Sequence, residues 1–322
     1  MQKLNAILHA VERLAEGILA FEFRPDDGAQ WPMPTAGAHV DVHLPNGLVR
    51  SYSLTNLPGD RDRYLIAVNR EANGDGGSRY MHDVLRVGQR LQLSAPRNNF
   101  PLKESAAPSV LIAGGIGITP VWSMAQRLAE IGAPWSVHYS AREKGSAAFV
   151  EELQALASRT GGRVQLNFDG GMKDRMLDLA SIVAAGAPDA EFYCCGPAAM
   201  LQAFQQACEG LPADRVHLEY FAAPAQPQAE GCADDAFRVV LAKSEKTVDV
   251  AAGTTILEAL LAAGVEAPYS CMGGVCRACE TGVVAGIPDH RDLVFSDAEK
   301  QAGDKIIICC SRAKSKELVL DL

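Results

Sequence analysis

The run Cys271-Met272-Gly273-Gly274-Val275-Cys276-Arg277-Ala278-Cys279 constrains this chain more than any other stretch. Its spacing is C-x4-C-x2-C, and Cys309 follows after 29 intervening residues, inside Ile306-Ile307-Ile308-Cys309-Cys310-Ser311-Arg312. Three thiolates on one loop and a fourth on a distant strand end form the donor set of a plant-type [2Fe–2S] cluster. Each iron takes two protein sulfurs, so the loop must wrap closely. Gly273 and Gly274 let its backbone bend inward where a Cβ would obstruct it. A structural zinc calls for two separated C-x2-C pairs or a Cys/His mixture. Only one such pair is present, with no histidine at ligand spacing. Unrelated buried thiols are the blander reading, and the complete spacing argues against it. Cys310 leaves the fourth ligand open. Successive strand side chains point to opposite faces, so only one of Cys309 and Cys310 reaches the cluster.

A chain of 322 residues predicts two or three domains. A net charge of -9 argues against nucleic acid as a partner. The N-terminus Met1-Gln-Lys-Leu-Asn-Ala-Ile-Leu-His9 has no apolar core of a signal peptide, and no apolar run reaches membrane-spanning length. Nine cysteines is an odd number, and a thiolate site claims several of them. Both facts predict a reducing, cytoplasmic setting without a disulfide framework or a membrane span.

The first hundred or so residues read as short alternating strands, among them Ile18–Phe23, His39–Leu44 and Tyr64–Val68. Pro45-Asn46-Gly47 is a hairpin signal. Together they predict a small antiparallel barrel over 1–103. Arg50-Ser51-Tyr52-Ser53-Leu54 puts Arg50, Tyr52 and Leu54 on one strand face. A guanidinium there can pair with a phosphate, and the aromatic can lie on a flat heterocycle. The stretch from Gly74 through Gly76, Gly77, Ser78 and Arg79 to Leu85 reads as a glycine loop entering a helix capped by Ser78. Such a start attracts phosphate through free N–H groups. An ordinary strand and an ordinary capped helix are the alternatives.

From about Pro108 the pattern changes to alternating β and α units, which predicts a doubly wound parallel sheet over 104–224. The expected helices are 121–131, 147–157, 177–185 and 198–208. Val110–Ala113 is a fully apolar strand ending in Gly114-Gly115-Ile116-Gly117-Ile118-Thr119-Pro120. Ligands bind at the carboxyl ends of such strands, and glycines there let a pyrophosphate approach the backbone. Pro120 stands where a dinucleotide fingerprint has its third glycine, so this motif alone is weak. Tyr139-Ser140-Ala141-Arg142 ends the next strand without a carboxylate, and Asp169 follows the third. Glu219-Tyr220-Phe221 closes the sheet, with a core aromatic as the simple reading of Phe221.

Residues 225–235 are Pro/Ala/Gln-rich and read as a linker. Within 236–322, Phe237–Leu241 and Thr247–Val250 predict a hairpin, and Thr255-Ile256-Leu257-Glu258 is a capping box opening a helix over 256–263. A closing strand with a basic edge is expected over 311–320. This order of elements around the cysteine loop resembles the β-grasp ferredoxins.

R-S-Y-S-L, G-G-S, G-G-I-G-I-T-P, Cys195-Gly196-Pro197 and the cysteine pattern occur in one order along essentially the whole chain. In combination they resemble the phthalate dioxygenase reductase family of the ferredoxin-NADP reductase superfamily, which includes vanillate demethylase reductases. The resemblance implies FMN held by Arg50, Ser51, Tyr52 and Ser53, with Ala67, Val68 and Asn69 at the ring edge. It implies a phosphate loop of Gly76, Gly77 and Ser78, with Thr119 and Phe221 completing the flavin site. It places NADH on Gly114, Gly115, Gly117, Cys195, Gly196 and Pro197, with Ser140, Arg142 and Asp169 towards the adenosine. Thr119, Cys195 and Phe221 are then the residues beside the hydride step, Cys195 as a positioning residue and not a nucleophile. The cluster ligands become Cys271, Cys276, Cys279 and Cys309, with Cys310 in an apolar position. The implied function is transfer from NADH through FMN and [2Fe–2S] to a Rieske-type aromatic dioxygenase, phthalate dioxygenase being the first expectation. An aromatic O-demethylase as acceptor, or a non-catalytic carrier or redox sensor, are the alternatives. Internal electron transfer needs no second subunit, so a monomer is expected.

Overall fold

The computed structural model describes residues 3–57, 59–72, 74, 76–221 and 235–322. Asp75 of the glycine loop and most of the expected linker lie outside the described residues. The described chain divides into two compact units, 1–221 and 222–322.

The first unit opens with strands β1 (Lys3–Ala15), β2 (Ile18–Pro25), β3 (His39–His43), β4 (Val49–Ser53) and β5 (Tyr64–Asn69), helix α1 (Gly77–Asp83) and strand β6 (Arg90–Ser94). The strands pair in the order β4-β3-β6-β1-β2-β5, all antiparallel. A bridge between Leu54 and Ile66 brings the two edges together, so the sheet closes on itself as a barrel. Alternation sends Phe21, Phe23, Tyr64 and Ile66 into a fully buried interior. Each such side chain contributes about 1.5–3 kcal/mol by leaving water. The expected hairpin at Pro45-Asn46-Gly47 joins β3 to β4, with Gly47 in the left-handed region at φ 86°.

A parallel sheet follows: β7 (Ser109–Gly114), α2 (Ile118–Glu130), β8 (Trp135–Ala141), α3 (Val150–Thr160), β9 (Arg163–Phe168), α4 (Leu179–Ala184), β10 (Glu191–Cys195), α5 (Ala198–Ala207) and β11 (Val216–Glu219). Its order is β11-β10-β7-β8-β9. The chain runs outward from β7 in one direction and then returns beside it through β10, so the switch point lies between β7 and β10. Helix α2 begins three residues earlier than expected, because a proline at position 120 is tolerated in a first helical turn. Helix α3 begins later than expected, at Val150. Phe149 takes a left-handed φ of 62° and stacks on Trp122 at 5.7 Å, and this holds the preceding residues out of the helix.

The barrel and this sheet share apolar packing. Ala15, Ile18, Ala36, Ala67 and Phe100 belong to the same cluster as Leu111, Ile118 and Val121. The Gly37 N–H donates to Ser123 Oγ at 3.1 Å, and Gln126 Nε2 donates to the Thr55 carbonyl at 3.0 Å.

The second unit contains β12 (Phe237–Leu241), β13 (Thr247–Val250), α6 (Ile256–Ala262), β14 (Glu280–Ala285), β15 (Pro288–Asp289), α7 (Asp297–Ala302), β16 (Lys305–Ile307), β17 (Arg312–Ala313) and β18 (Glu317–Leu320). The mixed sheet runs β13-β12-β18-β14-β16, with β12 and β18 parallel. Ile256, Leu257 and Leu260 of α6 pack into its core, and the Thr255–Glu258 capping box forms. Two expectations change here. The closing strand is two short strands, β17 and β18. Arg312 is buried instead of lying on a basic edge, with its guanidinium over the Phe237 ring and bonded to the Ala251 and Asp235 carbonyls. Among the described residues no helix is long and apolar enough to cross a membrane.

Candidate cofactor sites

The two motifs of the barrel meet. Arg50 lies on β4, and its side chain packs so closely on Gly77 that a Cβ there would come within 2.6 Å of Arg50 Cγ. A guanidinium therefore stands beside the first turn of α1, whose leading N–H groups have no partner four residues earlier. That combination suits a phosphate. Ser78 does not cap the helix as expected. Gly76 does, in the left-handed conformation at φ 85°, and the Ser78 hydroxyl accepts from the Glu71 N–H at 3.1 Å. A glycine enters the left-handed region at no steric cost, so the backbone turn is made two residues earlier.

Tyr52 is half-buried on the barrel, and burial pushes its hydroxyl up to about 12, so it stays protonated. Ser51 faces the other way and donates to Asp41 Oδ1 at 2.7 Å, where buried Asp41 pairs with half-buried Arg97. Its side chain supports the strand, while Ser53 is buried. Ala67 and Val68 are buried on β5, and the Val68 carbonyl accepts from His82 Nε2 at 2.9 Å. Asn69 donates to Glu71 Oε1 at 2.5 Å.

At the switch point the two glycine motifs interlock. A Cβ on Gly117 would lie 2.2 Å from the Cys195 carbonyl oxygen. One on Gly196 would lie 3.2 Å from Gly114 Cα, and one on Gly114 would strike Pro197 Cδ at 2.7 Å. Only glycines allow these strand ends to approach so closely. Gly115 instead needs glycine for its φ of 54°. Thr119 is buried and donates to the Ile116 carbonyl at 3.0 Å, which fixes the turn. Cys195 is fully buried, and burial together with Glu219 raises its thiol well above the ordinary range. A neutral thiol suits a positioning role. Phe221 is 41 % exposed and so is not a core aromatic.

A carboxylate from the next strand end stands beside the end of β8. Asp169 follows β9 and accepts from Ser140 Oγ at 3.0 Å and from the Gly171 N–H at 2.7 Å. Arg142 is exposed, and its carbonyl accepts from the Gly170 N–H.

In the second unit the loop cysteines fall into pairs. The Cys276 thiol is raised first by its hydrogen bond with Cys271, and the Cys279 thiol first by its hydrogen bond with Cys309. Two pairs of sulfurs suit two irons. Among the described residues no three His, Cys, Asp or Glu side chains converge as they would on a single ion. Cys309 and Cys310 lie in the turn after β16 and not on a strand, so strand alternation does not decide between them. Position does. Cys309 meets Cys279, whereas the Cys310 sulfur sits over Gly274, where a Cβ would come within 2.5 Å of it. The Gly273 N–H donates to Cys271 Sγ at 3.4 Å.

Residues 239–314 match the model of a 2Fe-2S iron-sulfur cluster binding domain, and residues 111–206 match an oxidoreductase NAD-binding domain. The crystal structure of phthalate dioxygenase reductase is 38% identical, with a TM-score of 0.72 over 99% of this chain and 98% of that one. The chain belongs to the phthalate dioxygenase reductase family. The chain is also 51% identical to a tetrachlorobenzoquinone reductase of Sphingobium chlorophenolicum, over 97% of this chain and 96% of that protein. It is 50% identical to a phenoxybenzoate dioxygenase subunit beta of Ectopseudomonas oleovorans, over 100% and 98%.

Two features of this family member escape a sequence reading. Glu219 is half-buried as a residue, but its Oε2 is sealed from solvent without a hydrogen-bond partner in the structure. It pairs in register with Cys195 on the neighbouring strand, and burial pushes its carboxyl up to about 8. The second is helix α7, capped by Ser296 and Glu299 in a box the S-x-x-E pattern would have revealed.

Proposed function

We propose that this chain is the NADH-dependent reductase component of an oxygenase system, delivering electrons singly to a Rieske-type aromatic oxygenase. The observation that carries this reading is that one chain joins a hydride-accepting site to a one-electron site. Arg50, Tyr52 and the first turn of α1 would form the first, with the glycine crossing of Gly114, Gly117, Cys195 and Gly196 for the hydride donor, and the paired cysteines of the second unit form the other. Bound FMN supplies the conversion between the two-electron hydride of NADH and the one-electron steps of a [2Fe–2S] cluster.

The residues of the chain bind and orient. Arg50 and the first turn of α1 hold the FMN phosphate, while Tyr52 and the β5 backbone seat its ring. Gly117 and Gly196 keep the strand ends close together and would leave the backbone open to the nicotinamide. Thr119 and Cys195 would shape this end of the sheet as positioning residues, and the exposed Phe221 ring would be available to the flavin. Asp169, held by Ser140, accepts from a ribose hydroxyl and repels a 2′-phosphate, which favours NADH over NADPH. Cys271, Cys276, Cys279 and Cys309 supply the four thiolates. The chain acts as a cytoplasmic monomer.

The test is an anaerobic titration with NADH, followed by visible absorption and EPR. Flavin bleaching together with a rhombic reduced-cluster signal supports the reading, and a cluster that reduces only with dithionite despite bound flavin sinks it. A second reading is favoured by the 51% identity to a tetrachlorobenzoquinone reductase, in which a halogenated quinone is the acceptor. Rapid NADH-driven reduction of a chlorinated benzoquinone, with no turnover on any Rieske oxygenase, would select it.

A further inference from the structure

Arg277 lies between the second and third cysteines and holds a left-handed backbone, φ 56°, which non-glycine residues seldom adopt. Strain of this kind persists only where surrounding contacts enforce it. Here they are plain. The Arg277 guanidinium donates to Glu299 Oε1 and Oε2, each at 2.9 Å, and to the Val294 carbonyl at 2.7 Å. It lies 4.8 Å from the centre of the Phe295 ring and 3.5 Å from Glu280, which also holds Lys305 at 2.8 Å. Glu299 in turn accepts from the Ser296 N–H and hydroxyl and so caps α7. One carboxylate therefore ties the cysteine loop to a helix start, and the Arg277 side chain provides the connection.

We propose that Arg277 is a positioning residue for the iron–sulfur cluster: its fork to Glu299 locks the loop between Cys276 and Cys279 in ligating geometry. Glycine at this position would relieve the backbone but remove the clamp. The inference rests on the assignment of Cys271, Cys276, Cys279 and Cys309 as ligands.

The experiment compares full-length cluster-loaded protein with Arg277→Gly, Arg277→Lys, Glu299→Gln and the double variant Arg277→Gly/Glu299→Gln. Cluster loss to a chelator is followed by visible absorption, and the reduced signal by EPR. Arg277→Gly is expected to lose its cluster about tenfold faster, as for other residues that orient metal ligands. Arg277→Lys should fall between, because an ammonium cannot form the fork. Glu299→Gln keeps a capping side chain but loses the carboxylate, and it should approach Arg277→Gly in rate. The double variant should be no worse than Arg277→Gly, since the two residues act through one contact. Arg277→Gly retaining its cluster as long as the parent, or longer, overturns the proposal, as does additivity in the double variant. A parent protein that binds no cluster overturns the ligand assignment itself. Circular dichroism reads the fold separately in every variant.

Discussion

The backbones of Gly117 and Cys195 lie so close that a Cβ on the glycine would fall 2.2 Å from the Cys195 carbonyl oxygen. The obstacle is main chain and cannot turn aside. Gly117→Ala is therefore expected to push the two strand ends apart, at a cost of about 1–3 kcal/mol. It should weaken NADH binding, read by single-turnover flavin reduction across an NADH series. Gly115→Ala is the control, because nothing lies within 4 Å of a Cβ there and only its left-handed φ is strained. Equal effects from both variants would remove the close approach as the cause.

Arg50 supplies the cation beside α1. A charge-assisted hydrogen bond contributes about 1.5–3 kcal/mol, so Arg50→Ala should weaken FMN retention by roughly tenfold to a hundredfold. Flavin released on ultrafiltration measures it. Unchanged occupancy would take Arg50 out of the site.

Cys309 meets Cys279, and Cys310 sits over Gly274. Cys309→Ser should abolish the visible and EPR signature of the cluster while NADH still bleaches the flavin. Cys310→Ser should keep both. The reverse pattern would exchange the two assignments.

Glu219 makes stability depend on pH. Its carboxyl is raised to about 8 in the folded chain, against about 4.3 when unfolded. The unfolded state therefore releases this proton first as pH rises. The contribution is intact below about pH 4.3 and is lost progressively up to about pH 8. Glu219→Gln removes this slope and should gain on the parent by a few kcal/mol, in order of magnitude, between pH 5 and pH 9. Parallel melting curves for the two proteins across that range would show that the carboxyl is not held neutral.

What was legible in the sequence was what covalent spacing fixes. The C-x4-C-x2-C pattern, the β/α alternation and the Thr255–Glu258 box all depend on residues near each other in the chain. What was not legible depends on neighbours brought from afar. The Ser140–Asp169 bond joins two strand ends, so the loop after β8 read as lacking a carboxylate. Arg312 read as a surface cation because its Phe237 ring and carbonyl partners come from a strand and turns far upstream. Helix α7 is the local exception: it is short and polar, without an apolar period, and only its Ser296-x-x-Glu299 box announces it. The Ser78 cap failed because Gly76 could take a left-handed φ that no hydroxyl competes with.

The packing between barrel and parallel sheet bears on how such chains can be recombined. A junction cut near residue 103 would strip Ala36, Ala67 and Phe100 from Leu111, Ile118 and Val121, and would orphan the Gly37 and Gln126 hydrogen bonds. Each fragment would then carry a raw apolar wound, prone to aggregate. For exchange between proteins, the flavin and nicotinamide halves are therefore a single inheritable cassette.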